Sequence, residues 1–91
     1  MTAALVEVPG FPGDHVRALT AIEFVEMHEV VDESPLRRTI RFAHLCGVDG
    51  DGNRLWPTLA DAEAAPWPRV TAVVAAGLPL LGIGVEELAG N

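Results

Sequence analysis

Thr20-Ala21-Ile22-Glu23-Phe24-Val25-Glu26-Met27-His28-Glu29-Val30-Val31-Asp32-Glu33-Ser34-Pro35-Leu36-Arg37-Arg38-Thr39-Ile40-Arg41-Phe42-Ala43-His44-Leu45-Cys46 decides the fold class of this chain. Thr20 and Glu23 form a capping box, in which hydroxyl and carboxylate reciprocally satisfy the orphan N–H groups of a helix start. Phe24, Met27 and Val31 then recur at i, i+3 and i+7 as an apolar stripe, while Glu23, Glu26, Glu29 and Glu33 share another face. This spacing predicts a helix that ends near Asp32 to Ser34. Ser34-Pro35 opens a second helix, with Ser as N-cap and Pro at the first position, where its missing N–H costs nothing. Its apolar stripe is Leu36, Ile40, Ala43 and Gly47, and Arg37, Arg38, Arg41 and His44 lie opposite. So short a link predicts an antiparallel helical hairpin.

Working outward toward the N-terminus, Pro9-Gly10-Phe11-Pro12-Gly13 reads as a loop with a turn. Leu5–Val8 and His15–Leu19 on either side are short enough to pair across it as a hairpin. Toward the C-terminus, Val48-Asp49-Gly50-Asp51-Gly52-Asn53-Arg54-Leu55-Trp56 is a tight turn with apolar arms, which are expected to be extended for two or three residues each. Thr58 and Asp61 cap a short helix to about Ala65, which Pro66-Trp67-Pro68 breaks. From Pro68 a last major helix runs through Ala76 and ends or kinks near Gly77 and Pro79. It is apolar nearly all round, so it is either the central core helix or the face of a partner. Gly84–Leu88 could add one helical turn. The expectation is a single domain over 1–91: an extended segment 1–19, then a mainly α bundle of three to four helices over 20–91.

Composition narrows the function. The chain has 91 residues, 49% of them hydrophobic and 21% charged, which excludes a disordered or collagen-like chain. A domain of this length has a thin core. Thirteen acids against six bases, all six of them Arg, give a net charge of −7. That sign repels phosphate and argues against nucleic-acid and anionic-membrane binding. The single Cys46 fits a reducing compartment, and the N-terminal residues lack the basic leader of a signal peptide. The apolar run Val70–Val85 is too short for a bilayer and is interrupted by Gly77, Pro79, Gly82 and Gly84. A cytoplasmic location is the expectation.

No constellation of catalytic groups emerges. Asp49, Asp51 and Asn53 match the first oxygen positions of a calcium loop, but Arg54 stands where Gly is needed and Ala60 where the closing carboxylate belongs. A plain turn is favoured. His15, His28 and His44 lack metal-ligand spacing. His44 and Cys46 point apart on a helix, and Ser34, the only serine, is taken by its cap. The expectation is a non-enzyme without cofactor or metal.

The candidate binding features are two. Arg37, Arg38 and Arg41 form a basic patch on an acidic protein: either this face and the acid face of the preceding helix meet each other or stay solvated, or the patch docks an acidic partner segment. The last helix offers Trp67, Val70, Val73, Val74 and Leu78. Core packing is the default for Trp56 and Trp67, and exposure of Trp67 between its prolines would favour an interface.

Val48–Trp56, then Thr58-Leu59-Ala60-Asp61-Ala62, then Trp67-Pro68-Arg69-Val70-Thr71-Ala72-Val73-Val74 and Leu80-Leu81-Gly82 follow a pattern that resembles the tail assembly chaperones of long-tailed bacteriophages. The entry Val16–Glu23 is similar too, so the likeness spans about 16–88. Pro9–Gly13 and the break at Pro79 lie outside the pattern. The resemblance implies a non-enzymatic protein of the host cytoplasm that binds the tape measure protein, keeps its apolar helices soluble and helps recruit tail tube protein, with homo-oligomerisation allowed. Two rival readings are a structural virion subunit of neck-connector type and a small DNA-binding regulator. The acidic charge opposes the second.

Overall fold

The computed structural model describes residues 4–81. Its elements are β1 (Val6–Glu7), β2 (His15–Val16), α1 (Ala21–Glu29), α2 (Pro35–Cys46), β3 (Gly47–Val48), α3 (Leu59–Glu63), α4 (Trp67–Gly77) and a 3-10 turn (Leu78–Leu81). The fold is mainly helical, with a small antiparallel sheet of order β1-β2-β3. The expected helical turn at Gly84–Leu88 lies outside the described residues.

The N-terminal hairpin forms across the Pro/Gly loop, with Val6 opposite Val16 and Glu7 opposite His15. Gly10 and Gly13 supply the positive φ values of 85° and 90° that this reversal needs. Two such strands are marginal alone. The extended arm expected before the Asp-Gly turn forms a third strand, whose partner the sequence reading did not foresee: Gly47–Val48 pairs with β2, His15 opposite Val48 and Val16 opposite Gly47. The helical part of the described chain is thereby joined to the sheet, because the end of α2 runs straight into β3. The turn after it closes as a plain turn, with Asp49 Oδ1 accepting from the N–H groups of Asp51 (2.8 Å) and Asn53 (3.0 Å). Those bonds, the one from Asn53 foremost, hold the Asp49 carboxyl below its ordinary pKa.

All three side-chain caps are present, at Thr20, Ser34 and Thr58. The helix boundaries differ from expectation in instructive ways. α1 stops at Glu29, short of Asp32, because β-branched Val30 and Val31 are poor helix formers and Asp32 takes a left-handed φ of 62° that turns the chain toward Ser34-Pro35. Val31 is thereby removed from the apolar stripe and is 76% exposed. Leu36, in the first turn of α2, is 64% exposed, since the buried part of α2 is its C-terminal half: Phe42, Ala43, Leu45 and Cys46.

α4 proves to be the central helix along one face. Val70 and Val73 are enclosed with Val8, Val16, Val48 and Cys46. α2 packs foremost against α4, then α3, and less against α1. Glycine sets the closeness of these contacts. A Cβ on Gly77 would lie 3.0 Å from Cys46 Sγ, and one on Gly47 would lie 2.9 Å from the Ala43 carbonyl oxygen and 3.2 Å from Val73 Cγ1.

The acid face assigned to α1 is not uniformly solvated, and this corrects the sequence reading. Glu23 is only 7% exposed. Its carboxylate accepts from Arg17 (2.8 and 2.6 Å), Arg54 (2.8 Å) and the Thr20 N–H (2.9 Å). The Arg17 hydrogen bond, more than any other contact, holds its pKa down at about 2. Asp14 receives a bidentate bond from Arg69 (2.6 and 2.8 Å), whose guanidinium stacks 5.3 Å from the Trp56 ring.

Two outcomes follow for stability. A carboxyl with a folded pKa of about 2 and an ordinary value of 4.5 contributes stability fully present above pH ~4.5 and lost as pH falls toward 2. Glu23→Gln should lower the unfolding free energy by about 1–3 kcal/mol at pH 7 and flatten that acid limb, as read by urea titrations across pH. Gly47→Ala should cost about 1–3 kcal/mol, because backbone and not a flexible side-chain end blocks the new methyl. A thermal midpoint unchanged by this substitution would contradict the packing described.

Candidate functional site

The seam between α2 and α4 opens at one end into a groove. α2 contributes Pro35, Arg38, Thr39 and Phe42, which recur at i, i+3, i+4 and i+7 and so share one face. Val74 of α4 and Leu78 and Leu81 of the 3-10 turn form the other wall, and Met27 of α1 closes the end. The groove encloses about 320 Å³. A neighbouring depression of about 370 Å³ lies between Leu19, Thr20, Ala21, Phe24 and Val25 on one side and Leu80 and Leu81 on the other. Leu81 belongs to both. Leu78 is 53% exposed, with the half-buried Val74 beside it.

The eight residues singled out from sequence separate in the structure. Arg38, Val74 and Leu78 come together at the groove. Val70 and Val73 face the chain's own core and cannot be reached by a partner in this fold, because the apolar ring of α4 divides into a buried face and a half-open one. Trp67 stands at the far end of α4, about three helical turns from Leu78, and is 46% exposed, whereas Trp56 is core.

The basic patch is largely neutralised. Arg41 donates to Glu33, with Nη2 2.9 Å from Oε2, and the Glu33 side chain is almost covered. This hydrogen bond is the main reason that the Glu33 pKa is lowered and that of Arg41 raised. Arg37 meets Glu63 of α3 at 2.7 Å in an exposed pair, worth about 0–1 kcal/mol. Arg38 alone of the three has no carboxylate partner among the described residues, and its Nε is buried without an acceptor.

Sequence reasoning missed Met27 as a wall of this site, together with Pro35, Thr39, Phe42 and Leu81. The 35-38-39-42 spacing was a legible helical stripe, but its mixed polarity hid it beside the more apolar Leu36-Ile40-Ala43 set.

The titratable groups elsewhere have structural surroundings. His44 Nδ1 lies 2.8 Å from the Trp56 carbonyl oxygen, the geometry of a donated hydrogen bond. Cys46 is fully enclosed, and burial pushes its thiol up to about 12. Among the described residues no three His, Cys, Asp or Glu side chains gather closely enough to hold a metal ion. Nor is any described helix long and apolar enough to cross a membrane. Comparison with protein-family models, with curated proteins and with solved structures finds no match.

A thiol that is buried and protonated should be inert. In native buffer at pH 8, Cys46 should react with an aromatic disulfide reagent only at the rate of protein opening, and at once in denaturant. Immediate stoichiometric labelling of the native chain would show that the α2–α4 seam is open.

Proposed function

We propose that this chain is a non-catalytic protein-binding module and, within that class, a tail assembly chaperone of a long-tailed bacteriophage. In this role it binds the tape measure protein and assists assembly of the tail tube. The single observation that carries the reading is the open apolar groove at the α2–α4 seam, lined by Phe42, the half-buried Val74 and Leu81, and the exposed Leu78. A groove between two helices accepts the apolar stripe of a third, read at i, i+3 or i+4 and i+7. Burying even part of that stripe removes apolar surface from water at about 25 cal/mol per Å², which opposes aggregation of an otherwise exposed helix.

Two further properties support the reading. The net charge of −7 keeps a complex with an apolar client in solution. The run from Val48 to Leu81, which carries most of the residues on which the resemblance rests, forms a turn, a capped short helix and an apolar helix entered at Pro66.

Co-expression tests it. The tape measure protein should stay in the soluble fraction and co-elute with this chain. Leu78→Asp should weaken the interaction about tenfold or more while leaving the circular dichroism spectrum intact, because Leu78 is half outside the core already. Asp51→Asn, in the exposed turn, should bind as the unaltered chain does. A tape measure protein that aggregates equally with and without this chain would overturn the proposal. Assembly of the chain alone into a stable ring would favour a structural virion subunit instead.

A further inference from the structure

Five of the six arginines have a carboxylate within 2.9 Å: Arg17 and Arg54 on Glu23, Arg37 on Glu63, Arg41 on Glu33, and Arg69 on Asp14. In a chain with 13 acids the sixth should find one easily. Arg38 does not, among the described residues. It is half-buried, its Nε has no acceptor, and it lies on the wall of the groove with Met27, Phe42, Val74, Leu78 and Leu81. A buried guanidinium N–H without a partner is costly, because it has left water and gained no acceptor. Glu33, whose carboxylate feels the Arg38 charge, forms its hydrogen bonds with Arg41, through two nitrogens. An unanswered cation at the edge of an apolar trough has a defined complement: an apolar surface that carries one anion at its margin.

We propose that the groove recognises an acidic amphipathic helix of a partner protein. Its apolar residues fill the trough over Phe42, Val74 and Leu78, and an Asp or Glu beside that stripe pairs with the Arg38 guanidinium. This rests on the protein-binding reading of the same groove and adds the chemistry of the partner. The arginine fork takes a carboxylate in bidentate fashion, so it fixes the register and direction of the helix where the apolar contacts alone would let it slide. Selection also works by exclusion. A helix with Lys at the corresponding position sets two cations together in a partly desolvated site, so basic apolar helices are refused although the protein's net charge attracts them.

The test uses two helical probe peptides with the same leucine stripe, flanked by Glu in one and by Lys in the other, titrated into the full chain. The unaltered chain should bind the Glu peptide about tenfold more tightly, with an affinity that falls as salt rises. Arg38→Gln should abolish the preference, and Arg38→Glu should reverse it, each with an unchanged circular dichroism spectrum. Equal affinity of the unaltered chain for both peptides, with both lost in Leu78→Asp, overturns this inference and leaves the groove reading standing. Binding of both peptides that survives Leu78→Asp overturns the groove reading as well. Binding of the Glu peptide that emerges only after Glu86→Gln and Glu87→Gln would assign Arg38 to the chain's own acids and overturn the partner.

Discussion

The carboxylate of Glu23 sits where the segment leading from β2 into α1 meets the far side of the 49–53 turn. Arg17 reaches it from the strand that leads out of β2, Arg54 from the far side of the 49–53 turn, and the Thr20 N–H from the start of α1. Each of those segments is short and has little core of its own: β2 and β3 are two residues each. Apolar burial of Val16 and Val48 draws them together but does not say at what angle α1 departs. The shared carboxylate does, because its hydrogen bonds are directional and a misplaced helix would strand two guanidinium groups beside it. Replacing such a cluster by well-packed apolar residues is often neutral for stability, so its weight here lies in specifying one arrangement.

With that arrangement fixed, the remaining charges become interpretable. Asp14 and Arg69 tie the hairpin loop to the start of α4, and Trp56 lies beneath the guanidinium. Glu33 and Arg41 close the α1–α2 corner. The sheet, the corner and the last helix thus each receive one directional pair, laid over a core of mainly valine and small residues that is not shape-specific on its own. Against this ordering, a lone cation at a groove stands apart in kind. It does not staple two parts of the described chain, and its surroundings are those of a docking face.

Much of the framework was legible because it depends on local chemistry. Caps at Thr20, Ser34 and Thr58, the Pro/Gly hairpin and the Asp-Gly turn are each decided within a few residues, and each is in the structure. What escaped depends on partners far along the chain. Periodicity placed Val31 and Leu36 inward, yet among the described residues they are left 76% and 64% exposed. Glu23 looked like one more solvated acid because Arg17 and Arg54 lie 6 and 31 residues away. The partner of β3 was hidden for the same reason: a two-residue strand has no period to detect, and only pairing with β2 defines it. The functional set suffered likewise. Arg37, Arg38 and Arg41 look equivalent in sequence, and only the positions of Glu63 and Glu33 set Arg38 apart.

The groove follows from the way α4 ends. Gly77 allows the last turn of α4 to close on α2, with Cys46 and the Phe42 ring filling the space where a side chain would be. Two residues on, Pro79 lacks the N–H that an α-helix needs and its ring opposes the carbonyl four residues back. The chain tightens into the 3-10 turn Leu78–Leu81 and can no longer follow the axis of α2. Phe42 remains as a floor, but Val74, Leu78 and Leu81 diverge above it instead of interlocking with Pro35 and Thr39. Close approach at one residue and enforced divergence two residues later leave an apolar trough. Filling the position at 77 would push the helices apart along their whole contact. Relieving Pro79 would let α4 continue along α2 and seal the trough. The Gly77–Pro79 pair therefore trades closure of this seam for an open face, and Arg38 stands on its rim.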